Sequence, residues 1–448
     1  MDANTSSGAS ARSFPWIINR SYTFLLTGET VSILGDFFFD TTLTIWIAAS
    51  VARGQPWAPA AVSGLLLAAA VPTVAVGTFA GVLVDRWDRR RIMLAADAAR
   101  AALVLALIAF SGLIPFVPIH LPALAELAAI YITVALSTSC GRFFQPARAA
   151  IIQQIVPVED QPAASSYGQI ADPIATILGP PIAAPLYFAL GPAWALLVNA
   201  ASFLLSFVAV WLVPVTTPAT QEESGFLAEF RKGISFYLRN RILVVITVTV
   251  MIAQFGAGAI NALDIFFVRR NLHAPFSLYG ALEAAFGVGF LAGSIATPFL
   301  VRRLGLLRAF WLGAAVTALL IIGYARANSF WSGVIILFFA ATPLATVNAA
   351  VGPIVMRITP PTLMGRVIGV LQPAISLSSI LSIALAGILV SVLNGFHADV
   401  AGISFGPIDT VFVASGVVVL AAAAYAGIAL RHAELPESIP EEVAQPAP

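Results

Sequence analysis

Charge is what this chain has least of. Asp, Glu, Lys and Arg together make up 10% of its 448 residues, against roughly 25% in a soluble domain. An ordinary soluble globular protein is thereby excluded. Lys232 is the single lysine, so the chain has no Gly-x-x-x-x-Gly-Lys-Ser/Thr phosphate loop and ATP is excluded as the driving force. Cys140 is the single cysteine, which excludes a disulfide framework and a paired-cysteine metal site. His120, His273, His397 and His432 are scattered without zinc-ligand spacing and read as loop histidines. No nucleophile–base or His-rich cluster stands out, so the chain is not expected to be an enzyme. The polar stretch before Phe14 lacks the basic region, short apolar core and cleavage site of a signal peptide.

What is present is apolar length. Hydrophobic residues make up 59% of the chain, in continuous runs long enough to cross a hydrocarbon core of about 30 Å as helices. The runs do not alternate, so a membrane β-barrel is not expected. Twelve spans are predicted at 22–50, 58–84, 92–114, 123–145, 164–189, 193–213, 242–268, 277–301, 309–327, 331–354, 367–394 and 408–430. One set of gaps between them, with the termini, holds eighteen Lys and Arg residues; the other holds Arg53, Arg269, Arg270 and Arg326. The positive-inside rule then places both termini in the cytoplasm, as an even span count requires.

The longest polar interruption, 214–241, divides the chain into bundles at 22–213 and 242–430, flanked by a segment at 1–21 and a Pro/Glu-rich tail at 431–448. The tail composition is that of a disordered segment. Residues 226–240 alternate apolar and charged side chains at helical spacing, the pattern of an amphipathic helix on the membrane surface. The halves repeat weakly. Asp85–Arg91 corresponds to Arg302–Arg308, Ile155-Val-Pro157 to Ile358-Thr-Pro360, and Gln169 to Gln372. The expected fold class is an all-α membrane protein with twelve helices in two six-helix pseudo-repeats around a central cavity.

These features resemble the major facilitator superfamily over about residues 14–432. The most specific is Gly-x-x-x-Asp-Arg-x-x-Arg-Arg, formed by Gly81, Asp85, Arg86, Arg89 and Arg90; Asp88 stands where the superfamily usually has Gly. Gly35-Asp36, Asp97-x-x-Arg100, Phe144-Gln-Pro-Ala-Arg148, Gly179-Pro180, Asn199-Ala-Ala-Ser-Phe203 and Gly365-Arg366-Val367 resemble, in order, the twelve-helix drug:proton antiporters that include macrolide-efflux and siderophore-exporter relatives. The resemblance implies that Asp85, Arg86 and Arg90 latch the halves on the cytoplasmic side, with Gly81 and Arg89 in the same turn. It implies a helix-packing role for Gly179 and Pro180.

Ionisable side chains inside spans are costly and mark function by default. Glu29, Asp36 and Asp40 fall within 20° of one line along the first span. That stripe should line the cavity, where a carboxyl can exchange a proton for a cationic substrate. Asp36 is the first choice, Glu29 the second, Asp40 the third. Asp97 and Arg100, three apart, are expected to pair with each other near the cytoplasmic gate. Asp264 is expected to pair with Arg269 or Arg270. Gln169, Asp172, Asn199, Gln254, Asn261, Glu283, Asn348 and Gln372 are possible polar cavity residues or helix cross-links.

The function expected is a proton-coupled secondary exporter of amphipathic, possibly cationic small molecules, with drugs as the substrate class. The alternative is a dedicated siderophore, metabolite or lipid exporter of the same fold. A receptor or structural membrane protein is the third class. Protons are the coupling ion, with no cofactor and no metal; the lipid bilayer is the other partner, nucleic acid is not, and the chain is expected to be a monomer in the inner membrane.

Overall fold

A computed structural model of the chain describes residues 18–84, 87–112, 121–168, 171–214, 237, 240–360, 363–393, 395–396, 398–400, 403–431 and 433. The stretches expected to form the surface helix at 226–240 and the polar tail, and the residues Asp85, Arg86 and Gln169, lie wholly or almost wholly outside that set.

Twelve helical stretches are long and apolar enough to cross a membrane. Span one is α1 (Arg20–Trp46), extended by a π-helical turn at Ile47–Val51. Span two is α2 (Ala58–Ala75) and α3 (Gly77–Val84). The helix runs through Pro72 and breaks at Val76, just before Gly77. Next come α4 (Arg89–Phe110), α5 (Ala123–Ile155), the short α6 (Gln161–Gly168), α7 (Ala171–Leu190) and α8 (Pro192–Trp211). The second half has α9 (Arg241–Arg270), α10 (Tyr279–Leu304), α11 (Leu306–Ala325), α12 (Phe330–Ile358), α13 (Met364–Val392) and α14 (Pro407–Ala429). A small antiparallel hairpin, β1 (Ala398–Val400) and β2 (Ile403–Phe405), precedes α14 and is the one departure from an all-helical chain among the described residues.

One span differs from expectation in a way that matters. The expected span 123–145 stops too early, because α5 continues to Ile155 through Pro146. Arg148, which falls in the gap after that expected span, therefore sits on the same helix as Arg142. The expected fifth span, 164–189, lies within the candidate span Val158–Leu190, of which α6 and α7 are the described parts. Asp88 does not loosen its turn. It is the N-cap of α4, its side chain accepting a hydrogen bond of 3.0 Å from the Arg91 N–H, as short acidic caps do.

An even number of spans puts Arg20 and Arg431 on one face, called here the terminal face, opposite a far face. The apolar cores distinguish the two. Towards the far face one continuous cluster joins both halves, with Leu43, Val62 and Leu196 from the first and Leu263, Phe267 and Phe412 from the second. Towards the terminal face the cores are separate. Leu25, Met93 and Phe144 pack within the first half, while Ile246, Phe310 and Ile354 pack within the second. The crossing contacts follow suit. α2 packs on α13, where the Ala60 N–H donates to Ser391 Oγ at 3.2 Å. α7 packs on α10, where a methyl group on Gly280 would collide with the Pro180 carbonyl. α3, the terminal-side piece of span two, packs on α5 of its own half. Among the described residues the halves thus meet on the far face and have separate cores towards the terminal face.

Candidate functional site

α1 carries the acids and α8 holds it in place. Gly28 lies against Ser206 and Ala209, and Gly35 against Ser202 and Asn199, so the two backbones approach closely. Small residues permit such contact between apolar helices, where no water-driven force is available. Asn199 is fully buried beside Ser202, whose hydroxyl donates to its side-chain oxygen at 3.3 Å. That bond stays within α8, and the Asn199 amide nitrogen has no hydrogen-bond partner among the described residues.

The stripe on α1 meets three different environments. Glu29 is buried and forms an ion pair with Arg148 of α5, both side chains being largely out of contact with solvent. Arg148 belongs to the Phe144-Gln-Pro-Ala-Arg stretch, and its role as partner to Glu29 was not foreseen. The long α5 was the missing information.

Asp36 receives one Arg100 nitrogen between its two carboxylate oxygens, at 2.8 and 2.7 Å. This corrects the expected Asp97–Arg100 pair. Spacing of three allowed that pair on the α4 surface, but Arg100 instead crosses to α1. Its guanidinium lies 3.9 Å from the centre of the Phe203 ring on α8, a stacking that Arg favours. Arg100 lies eleven residues into α4, about 16 Å deep at 1.5 Å per residue. That is close to mid-membrane rather than at the gate. Asp97 is fully buried with neither oxygen in a well-formed hydrogen bond; the Ser206 hydroxyl of α8 faces it. One arginine therefore stands between two acids and engages one of them.

Asp40 is exposed and in no ion pair among the described residues. Asp36 and Arg100 are its charged neighbours, and its charge also reaches Tyr279 of α10 in the other half. An ionisable acid within a span is not expected to face lipid. Asp40 is the most exposed of the three acids on α1.

A second acidic centre lies inside the other half. Asp264 of α9 is buried and accepts a hydrogen bond of 2.5 Å from the Tyr324 hydroxyl of α11. Glu283 of α10 interacts with it and with the Tyr279 hydroxyl. Asp264 therefore does not pair with Arg269 or Arg270, which lie further along the same helix. Asp264, Glu283 and Asn261 line an apolar cavity of about 60 Å³, enough for a few water molecules. The Phe267, Tyr324 and Phe412 rings pack beside it, with centroids 4.8 to 6.0 Å apart.

The remaining candidates disperse. Arg90 donates to the carbonyl of Trp211 at the end of α8 in its own half, so in this state it makes no latch to the other half through that bond. Arg89 lies in the first turn of α4 and Gly81 within α3. Asp172 lies on α7. Gly179 abuts Phe37 of α1, which with Pro180 against Gly280 places α7 between the halves. Gln254 is half-buried on α9, and Gln372 is exposed on α13. Asn348 is exposed and donates to the Leu344 carbonyl of its own helix at 3.0 Å. Neither Gln254, Gln372 nor Asn348 joins the acidic centres.

A twelve-helix bundle of two halves, with separate cores towards one face and carrying ion pairs across mid-membrane, defines a membrane transporter of the major facilitator superfamily and not an enzyme. The comparisons with known proteins agree. Residues 12–447 match the model of the family described as transmembrane secretion effector, and the chain belongs to that family. It is 26% identical to the uncharacterized MFS-type transporter YkuC of Bacillus subtilis, covering 71% of this chain and 74% of the relative. It is also 26% identical to macrolide efflux protein A of Streptococcus pyogenes, over 60% of this chain and 64% of that protein. Among solved structures, a bacterial homologue of the iron transporter ferroportin in its inward-facing state matches with a TM-score of 0.69 at 16% identity, covering 92% of this chain and 98% of that one. An outward-facing structure of such a homologue, with soaked iron, matches at 0.59 and 15% identity, covering 92% and 99%. The fold is the superfamily's.

Proposed function

We propose that the chain is a proton-coupled exporter of amphipathic small molecules that works by alternating access, with the terminal face in the cytoplasm. The orientation rests on the eighteen-to-four division of basic residues between the two faces. The similarity to a macrolide efflux protein supports export of drug-like compounds. One observation carries the coupling: Arg100 is shared between two acids, of which Asp36 is in contact and Asp97 is not.

In the state seen, a substrate enters from the terminal face into the space between the halves, where Asp40 and Asp36 are accessible. Proton uptake at Asp36 removes the charge that holds Arg100. The guanidinium is then drawn towards Asp97 on its own helix, and α1 loses its tie to α4. Release of the proton restores the tie. A ligand can move such an equilibrium only through a difference in its affinity for the two states. Proton and substrate supply that difference by competing for the same acids on α1. Asp36 being held by Arg100 leaves Asp40 as the acid free to meet a cationic head group.

The test uses purified protein in liposomes under an imposed pH gradient, with a lumenal pH dye and a panel of cationic, neutral and anionic amphiphiles. Proton movement triggered by a cationic or neutral amphiphile, and lost in Asp36→Asn, is expected. Asp40→Asn is expected to weaken selection for cations while keeping proton movement with neutral compounds. Silence across the panel from folded protein would overturn the reading in favour of a dedicated metabolite or lipid exporter.

A further inference from the structure

Four basic residues fall on the far face: Arg53, Arg269, Arg270 and Arg326. Arg326 is accounted for locally. Its guanidinium lies 3.6 Å from Asp409 and over the Phe405 ring at 4.9 Å. The other three converge. A cavity of about 640 Å³ is lined by Arg53 from the turn after α1 and by Arg269 and Arg270 from the last turn of α9. Gln55 and Ser277 are its other polar side chains, and no Asp or Glu lines it. None of the three arginines has an ion pair among the described residues.

This placement needs a reason. The far face is otherwise stripped of basic residues, yet three gather around one cavity that straddles the seam between the halves. Like charges facing one another across a seam push it apart, and the C-terminal dipole of α9 offsets only the part borne by Arg269 and Arg270. A guanidinium fork matches the oxygens of a phosphate group. Apolar walls at Phe188, Phe266 and Phe276 would shield that contact from water.

We propose that this cavity binds a phosphate group, gripped by Arg53 from one half and by Arg269 and Arg270 from the other. Binding ties the two halves together on the far face and so favours the state that is open on the terminal face. The phosphate comes either from a free anion or from a phospholipid head group.

The experiment titrates the full-length protein, in dodecyl maltoside micelles, with inorganic phosphate in one arm and dioctanoyl phosphatidylglycerol in the other. Binding is read by thermal-unfolding shift, with dioctanoylglycerol, which has no phosphate, as the control. Saturable stabilisation in either arm is expected, at least tenfold weaker in affinity for the triple variant Arg53→Gln, Arg269→Gln, Arg270→Gln and unchanged in Arg431→Gln. Response to both ligands assigns a free phosphate site; response to phosphatidylglycerol alone assigns a lipid head group. Should the triple variant fail to fold, each single Arg→Gln variant is expected to weaken binding about threefold or more. No saturable response in the wild type, or equal affinity in the variants, would overturn the proposal.

Discussion

The Glu29–Arg148 pair is a sharp test of how this bundle handles buried charge. Both side chains are nearly sealed from solvent, 5% and 14% exposed. Removing one partner of such a pair leaves a lone buried charge and costs about 3–5 kcal/mol, whereas replacing both with apolar groups of similar volume is often near neutral. Glu29→Gln should therefore destabilise the protein by about 3 kcal/mol, and Glu29→Gln combined with Arg148→Met should recover most of that. The double-mutant coupling energy should be about 2 kcal/mol or more. Unfolding of purified protein in mixed micelles with rising dodecyl sulfate measures all the variants on one scale, with Glu159→Gln in the exposed turn before α6 as the control. Additivity of the two substitutions would refute the pairing. Stability of Glu29→Gln equal to the control would show that Glu29 carries no buried charge needing compensation. If export survives in the double variant, the pair is architectural, and coupling lies deeper along α1.

Asp36→Asn should cost less stability than Glu29→Gln, about 1 kcal/mol, because the Asp36 side chain is 37% exposed and solvent screens part of the loss; the same unfolding assay ranks the two. Tyr324→Phe removes the hydroxyl that donates to buried Asp264 and should cost about 1–3 kcal/mol for the unsatisfied acceptor; a cost below half a kcal/mol would mean that the carboxyl is satisfied by water. Asp88→Ala deletes the α4 cap and should cost about 1 kcal/mol while leaving substrate binding intact. Gly280→Leu forces a side chain into the Pro180 carbonyl and should wedge the far-face seam. Labelling of a cysteine placed at Ser391 should rise at least severalfold, and unchanged labelling would show that α7 and α10 yield by sliding.

Span number, the two halves and the acids on α1 are legible in the sequence because each rests on a local quantity: run length, charge content or angle along one helix. The partners are not. Arg100 has two acids within reach, Asp97 three residues away and Asp36 on another helix. Spacing favours the near one, while the Phe203 ring that turns the guanidinium away arrives only through packing of α8. Arg148 was hidden for a different reason. Pro146 and two arginines look like the end of a span, yet α5 passes through all three, and neighbouring helices can shelter such a residue. Asp264 was misassigned by proximity: Arg269 and Arg270 are close in sequence but lie at the helix end, while Tyr324 comes from α11.

Two acids in each half are matched by different chemistry. In the first half each of Glu29 and Asp36 is matched by an arginine from a neighbouring helix. An arginine stays charged at any pH the cell meets, so losing or gaining a proton on the acid changes the force between two helices. In the second half Asp264 and Glu283 are matched by the hydroxyls of Tyr324 and Tyr279. A tyrosine hydroxyl can donate to a carboxylate and accept from a carboxylic acid. Protonation there alters the direction of hydrogen bonds but breaks no ion pair. Under the proposed coupling, protonation in the first half would change the force between helices, whereas in the second it would leave the helix contacts in place. Tyr279, bonded to Glu283, is also within electrostatic reach of Asp40.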